Sequence, residues 1–155
     1  MRDHQGEVPA QLSHITLPAS LSSLRALHEK LVQFIEPLPI DSDIGYAIDL
    51  ALNEAFINVV KHGVNYDASQ NIVIEMRYDN NQLVLMLQDQ GKPIPSELLN
   101  NKSALSHYPE LLTPDSWPES GMGLMMMFNS VDEINYEVKD GVNYLSLIIN
   151  TEIQA

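Results

Sequence analysis

Between Asp41 and Gly63 apolar residues return at Ile44, Ile48, Ala51, Leu52, Ala55 and Val59. At about 100° per residue this spacing gathers them on one broad helical face, which needs an apolar layer to lie against. Asp41 or Ser42 can cap the start, and Gly63 is the expected helix stop. The polar residues of this helix do not form one opposing stripe. Asp49 and Asn53 make one ridge, and Glu54 and Asn58 make a second, roughly 140° away. One ridge can simply face water; the other invites a second explanation.

The flanking sequence supplies the layer. Leu12, His14 and the run Ile15 to Leu17 read as a short strand stopped by Pro18, and Ser20 is placed to cap a helix carrying Leu21, Leu24, Leu27, Leu31 and Phe34. Pro37 and Pro39 close it. Asn71 to Tyr78 and Leu83 to Gln88 alternate as the arms of a hairpin around a tight polar turn, and Glu133 to Val138 with Tyr144 to Ile149 form another around Lys139-Asp140-Gly141. A third main helix is expected to begin at Leu124 to Phe128, and a short one near Ser96 to Asn101. The expected order is β-α-α-β-β-loop-α-β-β, an α+β two-layer sandwich whose mixed, mostly antiparallel sheet is covered by helices on one face.

Residues 1–10 have no apolar period and read as a loose arm, leaving residues 11–150 as a single domain. Residues 92–120 hold five of the nine prolines, and so long an irregular connection is characteristic of a binding loop or lid. The absence of cysteine excludes disulfides, thiol catalysis and cysteine-ligated zinc. The N-terminus lacks a signal-like apolar core, and no apolar run is long enough to span a membrane, so a cytoplasmic location is expected. A formal net charge of −13 opposes direct attachment to nucleic acid or to an anionic membrane. It does not exclude a phosphate ligand, which backbone N–H groups and a magnesium ion can attract locally.

Three segments carry candidate chemistry. Glu54 and Asn58 project from one side of a helix, placing a potential general base beside an amide oxygen able to ligate magnesium. Asp89-Gln90-Gly91 follows a strand, where a carboxylate can accept from an amino group. Gly121-Met122-Gly123-Leu124 precedes an apolar helix and can offer backbone N–H groups to phosphate oxygens. Each is also what an ordinary polar helix edge, a turn or a helix start would need. No P-loop and no strand-linked dinucleotide motif is present.

In order and spacing, ALNEAFINVVKHG, LQDQGKPIP, ESGMGLMMM and the tail VDEINYEVKDGVNYLSLII resemble the GHKL (histidine kinase-like) ATPase superfamily, and within it the anti-sigma factor serine kinases of the switch-protein type. The resemblance covers roughly residues 11–150 and implies the Bergerat ATP-binding fold. It gives Glu54 the role of general base, Asn58 that of magnesium ligand and Asp89 that of acceptor for the adenine amino group. Gly91 would let the base approach the backbone, and Gly121, Gly123 and the amides near Leu124 would form the phosphate side of the lid. The implied cofactors are ATP and Mg2+. The implied partners are a sigma factor, a STAS-type anti-sigma factor antagonist as phosphoacceptor, and a second copy of the chain, with no direct nucleic acid and no membrane. His62 and Gly63 fit the helix-ending pattern, while His107 and Trp117 fall in the lid.

Two departures bear on this reading. Lys92-Pro93-Ile94-Pro95 stands where the family commonly has a further Gly or Pro and then an aromatic-Asp pair. Val142-Asn143 follows Gly141 where the family often has Gly-Thr with the Thr near adenine. These changes motivate the alternative of a nucleotide-responsive protein-binding module with little or no catalysis.

Overall fold

The computed structural model describes residues 9–95, 127 and 129–151. Five strands form one sheet: β1 (Gln11–Pro18), β2 (Asn71–Asp79), β3 (Gln82–Asp89), β4 (Glu133–Lys139) and β5 (Val142–Asn150). Their order across the sheet is β1-β2-β3-β5-β4, and each of the four pairings is antiparallel. Of the expected mixed sheet, the described strands show only antiparallel pairs. Two helices, α1 (Leu24–Ile35) and α2 (Ser42–Asn58), lie against one face.

Strand parity explains the layering. Ile72, Ile74, Met76 and Tyr78 of β2, Leu83, Leu85 and Leu87 of β3, and Leu145, Leu147 and Ile149 of β5 all face the helices and are buried. A one-residue slip of β3 would turn its three leucines to the other face, at about 1.5–3 kcal/mol each, so burial fixes the register. On the helix side Leu27 and Leu31 of α1 meet Ile48, Leu52, Ala55 and Phe56 of α2 in the same core. The opposite face of the sheet alternates Val73, Glu75 and Arg77 with Val84, Met86 and Gln88, and stays partly open. Its cross-strand ion pair, His14 Nε2 to Glu75 Oε1 at 3.4 Å, is exposed and contributes little.

Both hairpins close through two residues in the left-handed region, Asn80 and Asn81 in one and Asp140 and Gly141 in the other. That is the backbone whose twist matches the flanking strands. The chain leaves β3 and runs through β4 at the sheet edge. It then turns back so that β5 enters between β3 and β4. The end of β3 therefore meets the start of β5, and Asp89 pairs with Asn143.

Three local expectations change. β1 takes in Pro18, the residue expected to stop it, because its pairing with β2 continues to Pro18 opposite Asn71. Ser20 caps a 3-10 turn, Leu21–Ser23, rather than α1 itself; the turn swings Leu21 off the apolar face, leaving it 41 % exposed. Beyond Asn58 the helix widens into a π turn, Val59–Gly63, closed by Val64 N–H donating to Val59 C=O at 2.9 Å. Gly63 ends the helical run, but not by a left-handed glycine cap: the positive φ angles fall on Asn65 and Tyr66. Of the expected third helix, the described residues Met127, Asn129 and Ser130 are helical and Met127 is buried, while its expected start at Leu124 lies outside the described residues.

Candidate active site

The last turn of α2 faces the sheet end where β3 and β5 meet. Asn58 is 3 % exposed, and both its Oδ1 and its Nδ2 are buried without a hydrogen-bond partner among the described residues. Leaving such a group unsatisfied costs about 1–3 kcal/mol, and a buried polar atom without a partner calls for an explanation such as a ligand. The side chain lines a small cavity with Val59, Gly63, Asp89, Lys92, Ile94, Tyr136 and Leu145. A roomier cleft lies at the same end of the sheet, lined by Ser69, Gln70, Asn71, Gln88, Asp89 and Tyr144 among others. It contains none of the buried unpartnered atoms, so the cavity at Asn58 is the stronger candidate.

Asp89 continues the inward parity of Leu83, Leu85 and Leu87 and is 7 % exposed. Its Oδ1 accepts from Gly91 N–H at 2.8 Å and from Asn143 Nδ2 at 2.9 Å. Burial pushes its carboxyl pKa above the usual carboxylate value, while the hydrogen bonds from Asn143 and Gly91 oppose that shift. Asn143 is 2 % exposed and also donates to the Gly91 carbonyl at 2.9 Å. From the edge strand β4, Tyr136 contributes a hydroxyl that accepts from Ile94 N–H at 2.9 Å. Burial raises its pKa, the bond from Ile94 lowers it, and the charge of Asp89 raises it further.

Gly91 is held by its neighbours. A Cβ there would lie 2.4 Å from the Gly63 carbonyl oxygen and 2.8 Å from Val64 Cγ1. Lys92 N–H donates to that same carbonyl at 2.7 Å. The absence of a side chain at Gly91 thus lets the exit of β3 dock on the π turn that follows Asn58. Such turns within helices are frequent at functional sites.

The structure brings Asn58, Asp89 and Gly91 to one place. Glu54 is partly buried one helical turn before Asn58, and its carboxylate receives no hydrogen bond among the described residues. Gly121, Gly123 and Leu124, with His107, Trp117 and nearly all of the expected lid, lie outside the described residues. Nothing in the sequence marks Tyr136, and Asn143 stands out there only as a departure from the family pattern. A signal for Asn143 was present: like Asp89, it is a polar residue on the apolar parity of its strand.

The donor set suits a magnesium nucleotide. The unpartnered amide oxygen of Asn58 is a hard ligand of the kind that magnesium accepts alongside phosphate oxygens. Asp89 presents a carboxylate able to accept from an amino group. Among the described residues no cluster of three or more His, Cys, Asp or Glu could hold a metal by itself. No helix among them is long and apolar enough to cross a membrane.

Known proteins place this architecture. The solved structure of the RsbU and RsbW domains of Rv1364c from Mycobacterium tuberculosis superposes with a TM-score of 0.64 at 19 % identity, covering 94 % of this chain and 34 % of that one. This chain therefore spans about a third of that protein, and at this identity the likeness speaks for the fold alone. Serine-protein kinase RsbW of Bacillus licheniformis is 27 % identical over 109 residues, 66 % of this chain and 67 % of the relative. The protein of the same name from Bacillus anthracis is 26 % identical over 108 residues, 66 % of each. Residues 17–149, from the end of β1 into β5 and including every described site residue, match the family described as the histidine kinase-like ATPase domain, and the chain belongs to that family.

Proposed function

We propose that the chain is an anti-sigma factor and Mg-ATP-dependent protein serine kinase, which holds a sigma factor and phosphorylates a serine of a STAS-type anti-sigma factor antagonist. The reading rests on one observation above the others: the buried, unpartnered amide of Asn58 facing a cavity that it shares with Asp89. The relatives named serine-protein kinase RsbW support the class of reaction, phosphoryl transfer to a protein serine.

Magnesium ATP, when bound, supplies the transferable phosphoryl group and the cation that offsets its charge. Asn58 would ligate the metal through Oδ1, and Asp89 would accept from the amino group of the base. Glu54, one turn from Asn58, takes the proton of the acceptor serine hydroxyl. Gly121, Gly123 and the amides near Leu124 would offer backbone N–H groups to the phosphates. A homodimer in the cytoplasm, touching neither nucleic acid nor membrane, completes the proposal and accords with the acidic balance.

The test is transfer of labelled phosphate from ATP to the cognate antagonist. The parent should label it, and Glu54→Gln should lower the rate by about 100-fold or more with nucleotide affinity unchanged. Undiminished transfer by Glu54→Gln would remove Glu54 as the base. No transfer by a nucleotide-bound parent would favour the alternative, a nucleotide-responsive binding module, which the unusual Asn143 beside Asp89 also motivates.

A further inference from the structure

The amide of Asn143 does more than fill the position beside Asp89. Its nitrogen carries two hydrogens and has two acceptors at 2.9 Å, Asp89 Oδ1 and the Gly91 carbonyl. With the N–H of Gly91 also at Oδ1, that oxygen has two donors, and among the described residues Oδ2 has none. Rotating the carboxylate out of this plane would break both bonds, so the two donors fix where its second oxygen sits for a ligand. They are themselves consumed inside the protein. A ligand group meeting the free oxygen must bring its own hydrogen: an amino group is accepted, whereas a carbonyl oxygen would face a carboxylate oxygen.

We propose that Asn143 is the positioning residue that sets base selectivity at this site: by tying Asp89 Oδ1 to the Gly91 carbonyl it commits the pocket to a purine carrying an amino group, against one carrying oxygen or hydrogen at the same carbon. The proposal rests on the nucleotide reading above. It assigns to Asn143, on β5, a role that a simple brace between β3 and β5 would not have. A brace would strengthen the binding of every nucleotide alike; a positioning residue changes their ratio.

The experiment measures magnesium-dependent binding of ADP, of inosine diphosphate and of purine riboside diphosphate to the full chain by calorimetry. The parent is compared with Asn143→Leu and Asn143→Ser, and the fold of each protein is checked by circular dichroism. The parent should favour ADP over both analogues by about 10- to 100-fold, the range of one hydrogen bond to a charged group. In Asn143→Leu the preference should fall below about threefold, while affinity for purine riboside diphosphate, which makes no bond to Asp89, stays within about threefold of the parent. Asn143→Ser has one hydroxyl hydrogen in place of two amide hydrogens and should keep an intermediate preference; it carries the test if the leucine variant fails to fold. An unchanged preference in the folded variants, or an equal loss for all three nucleotides, overturns the role of Asn143 alone. Failure of the folded parent to bind any of them overturns the nucleotide reading and this inference with it.

Discussion

Replacing Gly91 by alanine tests how the exit of β3 docks on the π turn after α2. The new Cβ would begin 2.4 Å from the Gly63 oxygen, 2.5 Å from its carbonyl carbon and 2.8 Å from Val64 Cγ1. Since Cβ contacts under 3.0 Å are essentially never seen, the Gly63 carbonyl must retreat by at least 0.6 Å. Two of the three obstructing atoms are backbone, so a rotamer change cannot relieve the clash. The retreat stretches the 2.7 Å bond from Lys92 N–H and strains the 2.8 Å bond from Gly91 N–H to Asp89. Overpacking of this kind costs about 1–3 kcal/mol, and a weakened hydrogen bond adds about 1 kcal/mol. The expected loss is therefore about 2–4 kcal/mol, read from the urea midpoint by far-ultraviolet circular dichroism. Gly63→Ala is the control, because its Cβ would meet nothing closer than 3.4 Å, at Val59 Cγ1. It should cost less than about 1 kcal/mol. A Gly91→Ala protein within about 0.5 kcal/mol of the parent would refute the reasoning.

Two further substitutions probe the same end of the sheet. The folded-state pKa of Asp89 is raised, chiefly by burial. Its stabilising contribution is thus fully present only below its unfolded value near 3.8 and is lost as pH rises through the folded value. Asp89→Asn keeps an oxygen for Gly91 and Asn143, so the ligand-free variant should be more stable than the parent near neutral pH, by on the order of 1 kcal/mol. That advantage should shrink on acidification, and paired urea titrations across pH showing no gain at neutrality would count against it. Tyr136→Phe removes the acceptor of the Ile94 N–H and should cost about 1–3 kcal/mol. Amide exchange at Ile94 should quicken; an unaltered rate there would show that the hydroxyl is not the partner that matters.

The sequence makes the elements legible where burial follows one simple period. The inward leucines of β3 and the apolar face of α2 are read directly from spacing, as are the polar turns at Asp79-Asn80-Asn81 and Lys139-Asp140-Gly141, which the structure narrows to two left-handed residues each. The π turn leaves no such trace, since directing the Val64 N–H to the carbonyl of Val59 instead of Val60 changes backbone pairing without changing the apolar pattern. Gly63 consequently looked like an ordinary left-handed stop, although Asn65 and Tyr66 take that conformation. The insertion of β5 between β3 and β4 was likewise hidden, because two hairpins can join one sheet in more than one order. That order is what brings Asn143 to Asp89, 54 residues earlier in the chain. Asn58 and Asp89 themselves could be read from their placement at a helix end and a strand end. That the amide of Asn58 has no partner among the described residues emerges only from packing.

Magnesium-dependent ATP binding, measured by calorimetry on the parent and on Asn58→Ala, tests the central claim most directly. The account predicts parent binding in the range of about 1 µM to 1 mM, dependent on magnesium and weakened at least about tenfold in a folded Asn58→Ala protein. No binding by the folded parent at millimolar nucleotide, or the same magnesium-dependent affinity in both proteins, would contradict it.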